Sequence, residues 1–309
     1  MQSNPSELPL SINLPSPLKP RDRVTVVSPS GRLRELEAFE RGLAIWKSRG
    51  YRVEMGNHWN ACEGYLAGTD AQRHEALIQA WNDPNCQGIL CARGGYGTTR
   101  LLESWNSHCP IAKSSKWIVG FSDITGLLWY LATLGISGIH GPLLTTLDRE
   151  PEWSQQRLFD CIEGRPLAPL KGKGWGGGTA RGILLPANLT VATYLLGTPA
   201  QPPLHGVILA LEDVGEAPYR IDRMLTYWRA LGAFQGIAGI ALGRFSFCKG
   251  TPGHSSWTAQ EVLRDRLGDL GIPIVGGLPF GHDGVNAALP VGQLAQLDGD
   301  RGILEMIYS

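Results

Sequence analysis

The sequence has no net charge, no long hydrophobic run and no cysteines at metal-binding or redox spacing. Lys+Arg and Asp+Glu both number 28, so no overall field draws the chain to nucleic acid or to an anionic membrane. No window of about eighteen residues is apolar throughout, so no membrane-spanning helix is expected. The six cysteines stand at 62, 86, 91, 109, 161 and 248, with no C-x-x-C pair and no zinc-like His/Cys cluster. Scattered single thiols fit a reducing compartment, and a cytoplasmic location is expected. The absence of G-K-[ST] excludes a Walker-type phosphate loop. Residues 1–20 carry Pro and Ser but no basic start and no long apolar stretch, so they read as a flexible arm and not as a secretory signal.

What is present is a chain of 309 residues, 43% hydrophobic, with 40 glycines and 21 prolines spread as punctuation between short elements. Strand patterns at 24–28, 51–55, 88–92 and 117–119 alternate with helical patterns at 35–48, 71–81, 98–105 and 122–134. That alternation predicts a parallel sheet covered by helices, a Rossmann-like N-terminal domain over 21–147. In such sheets active groups gather at the C-terminal strand ends. A helical piece at 152–163 followed by a glycine-rich stretch predicts a linker over 148–178, and 179–309 a second α/β domain with mixed strands. Expected there are strands at 180–184, 207–211, 237–242 and 273–275, helices at 188–196 and 219–231, and a closing hairpin over 291–307. The active site is expected in the cleft between the domains.

Three places could carry chemistry. Val119-Gly120-Phe121-Ser122-Asp123-Ile124 puts a serine between an apolar strand and an apolar helix. This is either a strained nucleophile elbow or a plain serine helix cap, and position 124 is Ile where the G-x-S-x-G elbow has Gly. Glu212 follows the wholly apolar 207–211 and so is expected to leave a buried strand directly into a loop, rigidly placed and partly desolvated. His282 lies in the Gly/Pro-rich loop 277–284, whereas His58, His74, His108, His140, His205 and His254 sit in ordinary contexts. Ser122, Glu212 and His282 together give the order Ser…Glu…His, the parts of a hydrolytic triad. The loop Arg93-Gly94-Gly95-Tyr96-Gly97 fails the dinucleotide fingerprint because Arg100 stands where the third glycine belongs. It offers a backbone N–H to an oxyanion hole, and Arg93 either holds a substrate carboxylate or pairs with a nearby acid.

With these residues on the page, the chain resembles the LD-carboxypeptidases, the family of muramoyltetrapeptide carboxypeptidases and microcin-C self-immunity peptidases. The resemblance rests on Val26-Val27-Ser28-Pro29-Ser30, Arg93-Gly94-Gly95-Tyr96-Gly97, Gly120-Phe121-Ser122-Asp123, Asn188-Leu189-Thr190, Glu212-Asp213-Val214-Gly215-Glu216-Ala217-Pro218-Tyr219-Arg220-Ile221-Asp222-Arg223 and 276–282, in that order. One departure is Leu185-Pro186-Ala187 before Asn188, where many relatives have Gly-Gly. The resemblance implies a serine peptidase with Ser122 as nucleophile, Glu212 and His282 completing the triad, and an oxyanion hole from Asp123 and Gly95. Arg93, Tyr96 and Trp175 become candidate substrate contacts. It further implies cleavage of the L,D-bond of a murein tetrapeptide or UDP-muramoyl tetrapeptide with release of D-Ala, no metal or cofactor, no nucleic-acid or membrane partner, and a homodimer. Alternatives are a microcin-type peptidyl-nucleotide hydrolase on the same fold, with Trp175 stacking on the base, and a non-catalytic peptide- or nucleotide-binding module.

Overall fold

Apolar strands alternating with amphipathic helices build the first sheet as the pattern predicts. The structure, a computed structural model, describes residues 12–105, 116–250 and 257–308. Most of the expected arm (1–11), together with Cys109, His108 and His254, lies outside these residues. The first half runs β1 (Arg23–Val27), α1 (Leu36–Ser48), β2 (Arg52–Met55), α2 (Asp70–Asn82), β3 (Cys86–Cys91), α3 (Thr98–Trp105), β4 (Trp117–Gly120), a 3-10 turn Ser122–Ile124, α4 (Thr125–Thr133) and β5 (Ile139–His140). β1 to β5 are parallel, in the order β5-β4-β3-β1-β2. Cys91, expected in the core, is 1% exposed, and burial pushes its thiol pKa well up.

A second, larger sheet follows. α5 (Glu152–Ile162), β6 (Leu170–Lys171) and β7 (Lys173–Gly174) lead into β8 (Thr179–Asn188), α6 (Leu189–Leu195), β9 (Val207–Val214), α7 (Pro218–Ala230), β10 (Gly239–Ser246), α8 (Ala259–Leu267) and β11 (Ile274–Gly276). β12 (Leu289–Pro290), β13 (Leu294–Asp298) and β14 (Ile303–Met306) close the chain, the last two as the expected hairpin. The order is β6-β14-β13-β8-β9-β10-β11-β7, with β8 to β11 parallel and the flanking strands antiparallel.

Two expectations about the joining segments change. The stretch 148–178, read as a linker, holds as α5 the helix expected at 152–163, and also two edge strands that were not expected. β6 pairs with β14 and β7 with β11, so 170–174 spans from one edge of the sheet to the other and bends it round until the edges meet. Glycine permits this: a Cβ on Gly174 would overlap the Gly299 carbonyl oxygen. Covering both edges also removes unpaired strand edges. The end of the arm, residues 12–20, is packed down. Leu18 is 5% exposed and donates its N–H to Ile162 O at 2.8 Å, and Trp117 Nε1 donates to Ser16 O at 2.9 Å.

α4 joins the two halves. Its residues from Thr125 to Ala132 are all buried, because the helix has neighbours on every side and no solvent face. Trp129 Nε1 donates to Pro186 O on β8 at 3.1 Å, and the Trp129 ring meets Trp228 of α7 edge-on at 6.3 Å. β12 crosses in the other direction and pairs antiparallel with β5, Leu289 opposite His140. Among the described residues no helix is long and apolar enough to cross a membrane.

Candidate active site

Three neighbouring parallel strands, β1, β3 and β4, end on the same side of the first sheet. Their loops therefore deliver Ser30, the glycine loop 93–97 and Ser122 side by side. Phe121 is extended, and Ser122 then takes φ +63°. A non-glycine residue in this left-handed region is strained by about 1–2 kcal/mol, and persists only where its surroundings hold it. A serine helix cap has extended dihedrals, so Ser122 is not a cap and its backbone has the left-handed geometry of a strained turn. Phe121 occupies the cap position and makes no side-chain capping bond.

Asp123 does the holding. Its carboxylate accepts from Ser30 Oγ at 2.6 Å and from Thr98 N–H at the start of α3 at 2.9 Å. Thr98 Oγ1 donates in turn to the Asp123 carbonyl at 2.6 Å. Asp123 is 2% exposed, and burial raises its pKa despite these bonds. Gly94 abuts the serine: a Cβ there would stand 3.1 Å from Ser122 Cβ and 3.3 Å from Oγ. Gly94→Ala is expected to displace the hydroxyl by a few tenths of an ångström and lower kcat roughly tenfold, with the melting temperature little changed. Steady-state kinetics beside a thermal melt checks this; a wild-type kcat would show that the packing of Gly94 on Ser122 is not needed.

The second sheet supplies the acid and the histidine. Glu212 does not leave its strand for a loop as expected. β9 runs on to Val214 because β8 and β10 continue alongside, with Asn188 opposite Glu212 and Phe245 opposite Asp213. Glu212 is thus completely buried in the ladder. Its Oε2 lies 2.7 Å from His282 Nδ1, and its Oε1 accepts from Asn188 Nδ2 at 3.2 Å. The same Asn188 nitrogen donates to Asp213 Oδ1 at 3.1 Å, while Asn188 Oδ1 caps α6 through Val191 N–H. Burial, then the charge of Glu212, pushes Asp213 up to about 6 against the bonds from Thr190, Val214 and Asn188.

The loop between β11 and β12 carries His282 across to the first sheet. Gly281 N–H is held by Asn286 Oδ1 at 3.1 Å, and Asn286 N–H by Glu150 Oε2 at 2.8 Å. The His282 ring packs on Phe121, beside Ser122, with centroids 4.5 Å apart. Ser122 and His282 line one cleft of about 190 Å³ together with Glu35, Arg93, Gly94, Gly95, Phe121, Leu143, Thr145, Thr146 and Arg149. A carboxylate only accepts, so Glu212 places the His282 proton on Nδ1 and leaves Nε2 free to take one.

Of the candidate substrate contacts, Arg93 lines this cleft but is paired, Nε to Glu35 Oε2 at 3.1 Å. Partial burial works to raise the Glu35 carboxyl, but the Arg93 charge and hydrogen bonds outweigh it and hold it below its usual range. Tyr96 is 48% exposed, lies against Tyr65, and does not line the cleft. Trp175 is elsewhere: it lines a separate cavity of about 410 Å³ with Phe245 and Leu263, and Arg264 lies over its ring at 4.3 Å. The fold of 170–174 onto the sheet edges carries it there. Among the described residues no group of three His, Cys, Asp or Glu side chains is placed to hold a metal ion.

Sequence reasoning missed several residues. Asn188 stood in a quoted motif, but its bond to Glu212 depends on strand register. Ser30 likewise stood in a quoted motif, but its bond to Asp123 depends on two neighbouring strand ends, and Thr98 left no signal, since small hydroxyls at loop ends are common. His140, dismissed as ordinary, is fully buried between Phe121 and Phe280, and neither ring nitrogen has a partner among the described residues. Burial depresses its pKa to about 4, with Glu212 pulling up and His282 pushing down. A histidine depressed on folding contributes stability that is present above its unfolded value of about 6.5 and lost as pH falls towards its folded value, up to about 3 kcal/mol here. His140→Phe keeps the aromatic packing and removes that loss. Asp213, raised on folding, loses stability with rising pH in an overlapping window, so the difference between variant and wild type is the readout. Urea denaturation at pH 7 and pH 4.5 is expected to show that difference growing by about 2 kcal/mol in favour of the variant on acidification. A pH-independent difference would mean that His140 takes up its proton equally in the folded and unfolded states.

With the geometry described, comparison with known proteins adds the following. Family models for the LD-carboxypeptidase N-terminal and C-terminal domains match residues 24–141 and 181–297. A putative carboxypeptidase of Synechocystis sp. is 57% identical, covering 98% of this chain and 100% of its own length. The murein tetrapeptide carboxypeptidase of Pseudomonas aeruginosa is 34% identical over 90% of this chain and 94% of its own. Among solved structures, the muramoyltetrapeptide carboxypeptidase of Oxalobacter formigenes superposes with a TM-score of 0.82 at 29% identity, covering 92% and 97% of the two chains. The microcin C7 self-immunity protein MccF shares the fold, with a TM-score of 0.85 at 21% identity over 97% and 99%.

Proposed function

From the premise that the chain belongs to the LD-carboxypeptidase family, we propose that it is a serine peptidase that removes the terminal D-Ala of a murein tetrapeptide. The observation that carries this is the strained Ser122, set in a cleft with a His282 already oriented by buried Glu212. His282 Nε2 takes the proton from Ser122 Oγ as the hydroxyl attacks the scissile carbonyl. Glu212 stabilises the imidazolium, and His282 then protonates the leaving amine of D-Ala. Water, activated by the same histidine, releases the acyl group from Ser122.

The oxyanion falls to Gly95 and Asp123 N–H groups. The Gly94 carbonyl is taken by Gly31 N–H at 3.0 Å, so the trans peptide turns the Gly95 N–H to its other side, and Gly95 lines the cleft. Asp123 N–H is the second donor of the 3-10 turn, where the first donors have no acceptor within the helix.

The names borne by the Pseudomonas and Oxalobacter relatives support a murein tetrapeptide as substrate. Likeness to MccF favours the second reading, a peptidyl-nucleotide substrate, although Trp175 lines a different cavity from Ser122. Incubation with a UDP-muramoyl tetrapeptide is expected to yield free D-Ala. Turnover of a peptidyl-nucleotide with no release of D-Ala would instead establish the second reading.

A further inference from the structure

Two arginines line the cleft beside Ser122, and among the described residues only one of them is engaged within the fold. Arg93 donates to Glu35 at 3.1 Å and, from Nη1, to the Gly94 carbonyl at 3.4 Å, so its charge is already answered. Arg149 is exposed, and among the described residues no acceptor takes its guanidinium. The acids on either side of it are committed elsewhere. Asp148 accepts from Arg41 Nε at 2.6 Å, and buried Glu150 accepts from Ser154 Oγ at 2.7 Å and from Asn286 N–H.

The root of Arg149 is fixed to the frame that carries the serine. It ends the 3-10 turn Leu147–Arg149, with its N–H on Thr146 O at 3.1 Å. Just before that turn, Leu144 and Thr145 N–H groups donate to the Cys91 and Ala92 carbonyls at 3.3 and 3.2 Å, where β3 passes into the glycine loop. The cleft therefore holds a free guanidinium on a rigid base, beside an ion pair that neutralises itself.

A peptidase that takes one residue from a C-terminus must tell a free carboxylate from an internal amide, and an unpaired arginine is suited to that by charge and by its two-pronged donor geometry. We propose that Arg149 is the specificity-determining residue that holds the substrate's terminal carboxylate, an inference that rests on the carboxypeptidase reading above. Arg93, with Glu35 on it, is not that anchor.

The test compares release of the terminal residue from a murein tetrapeptide ending in D-Ala with release from the same peptide ending in D-alaninamide. Wild type is expected to prefer the acid. Arg149→Gln is expected to lower kcat/KM for the acid roughly 10- to 100-fold, the worth of charge-assisted bonds to a carboxylate, and for the amide far less, so the preference collapses. Arg149→Lys restores part of it, and the amide substrate reports that each variant is folded. A wild type indifferent to the terminal group, or an Arg149→Gln enzyme that keeps the wild-type preference, overturns the assignment while leaving the peptidase reading intact. A wild type that releases nothing from either peptide overturns that reading, and this inference with it.

Discussion

Ser122→Ala lowers turnover by about 10⁴–10⁶-fold, the scale for losing the nucleophile of a serine hydrolase. The residue is not a helix cap, so the substitution removes no capping bond from the fold. It also leaves the strain in place, because alanine at φ +63° is as crowded as serine. Ser122→Gly separates the two effects. It is expected to be equally inactive yet more stable by about 1 kcal/mol, since glycine takes the left-handed region without penalty. Release of D-Ala, read beside urea denaturation, checks both halves. Wild-type rates in Ser122→Ala would sink the nucleophile assignment, and a glycine variant no more stable than alanine would mean the elbow is unstrained.

Glu212→Gln is expected to cost about 10⁴-fold in kcat, as the equivalent change does in the serine-protease template. The structure supplies a reason specific to this site. Asn188 Nδ2 donates to Glu212 Oε1, so a glutamine must turn its oxygen to Asn188 and its amide nitrogen to His282. His282 Nδ1 then becomes an acceptor and its proton moves to Nε2, the atom required to take the proton from Ser122. Glu212→Asp keeps an acceptor and is expected to lose less. The fold is not expected to suffer from Glu212→Gln, because a completely buried charge is removed and its neighbour relieved. Asp213, pushed up to about 6 by burial and then by the charge of Glu212, is expected to titrate lower in the variant. Carboxyl NMR titration of Asp213 alongside kinetics reads both effects. A Glu212→Gln enzyme within tenfold of wild type would show that His282 does not depend on this carboxylate for its tautomer.

Much of the fold was legible because its signals are local. Residues 98–105 were expected as a helix and are α3; 117–119 and 207–211 are the cores of β4 and β9. Each rests on periodicity over a few residues, which reports the backbone directly. β6, β7 and β12 are two residues each, too short to show a period, and their pairing is set by distant partners. That is why the part of 148–178 after its expected helix showed no strands and why the crossing of β12 to β5 left no trace.

The candidate site divides in the same way. By itself the sequence determined which residues could do the chemistry: a serine between apolar strand and helix, an acid after an apolar run, a histidine in a glycine loop, in the order and contexts of one family. Only the tertiary structure decided between elbow and cap, through the φ of Ser122, and between carboxylate anchor and ion pair for Arg93, through Glu35. It alone set Asn188 beside Glu212, 24 residues apart, and Glu212 beside His282, 70 residues apart. The physical reason is that a side chain's type is written locally, but its partner is chosen by strand register and by the loops that bring two sheets to one cleft.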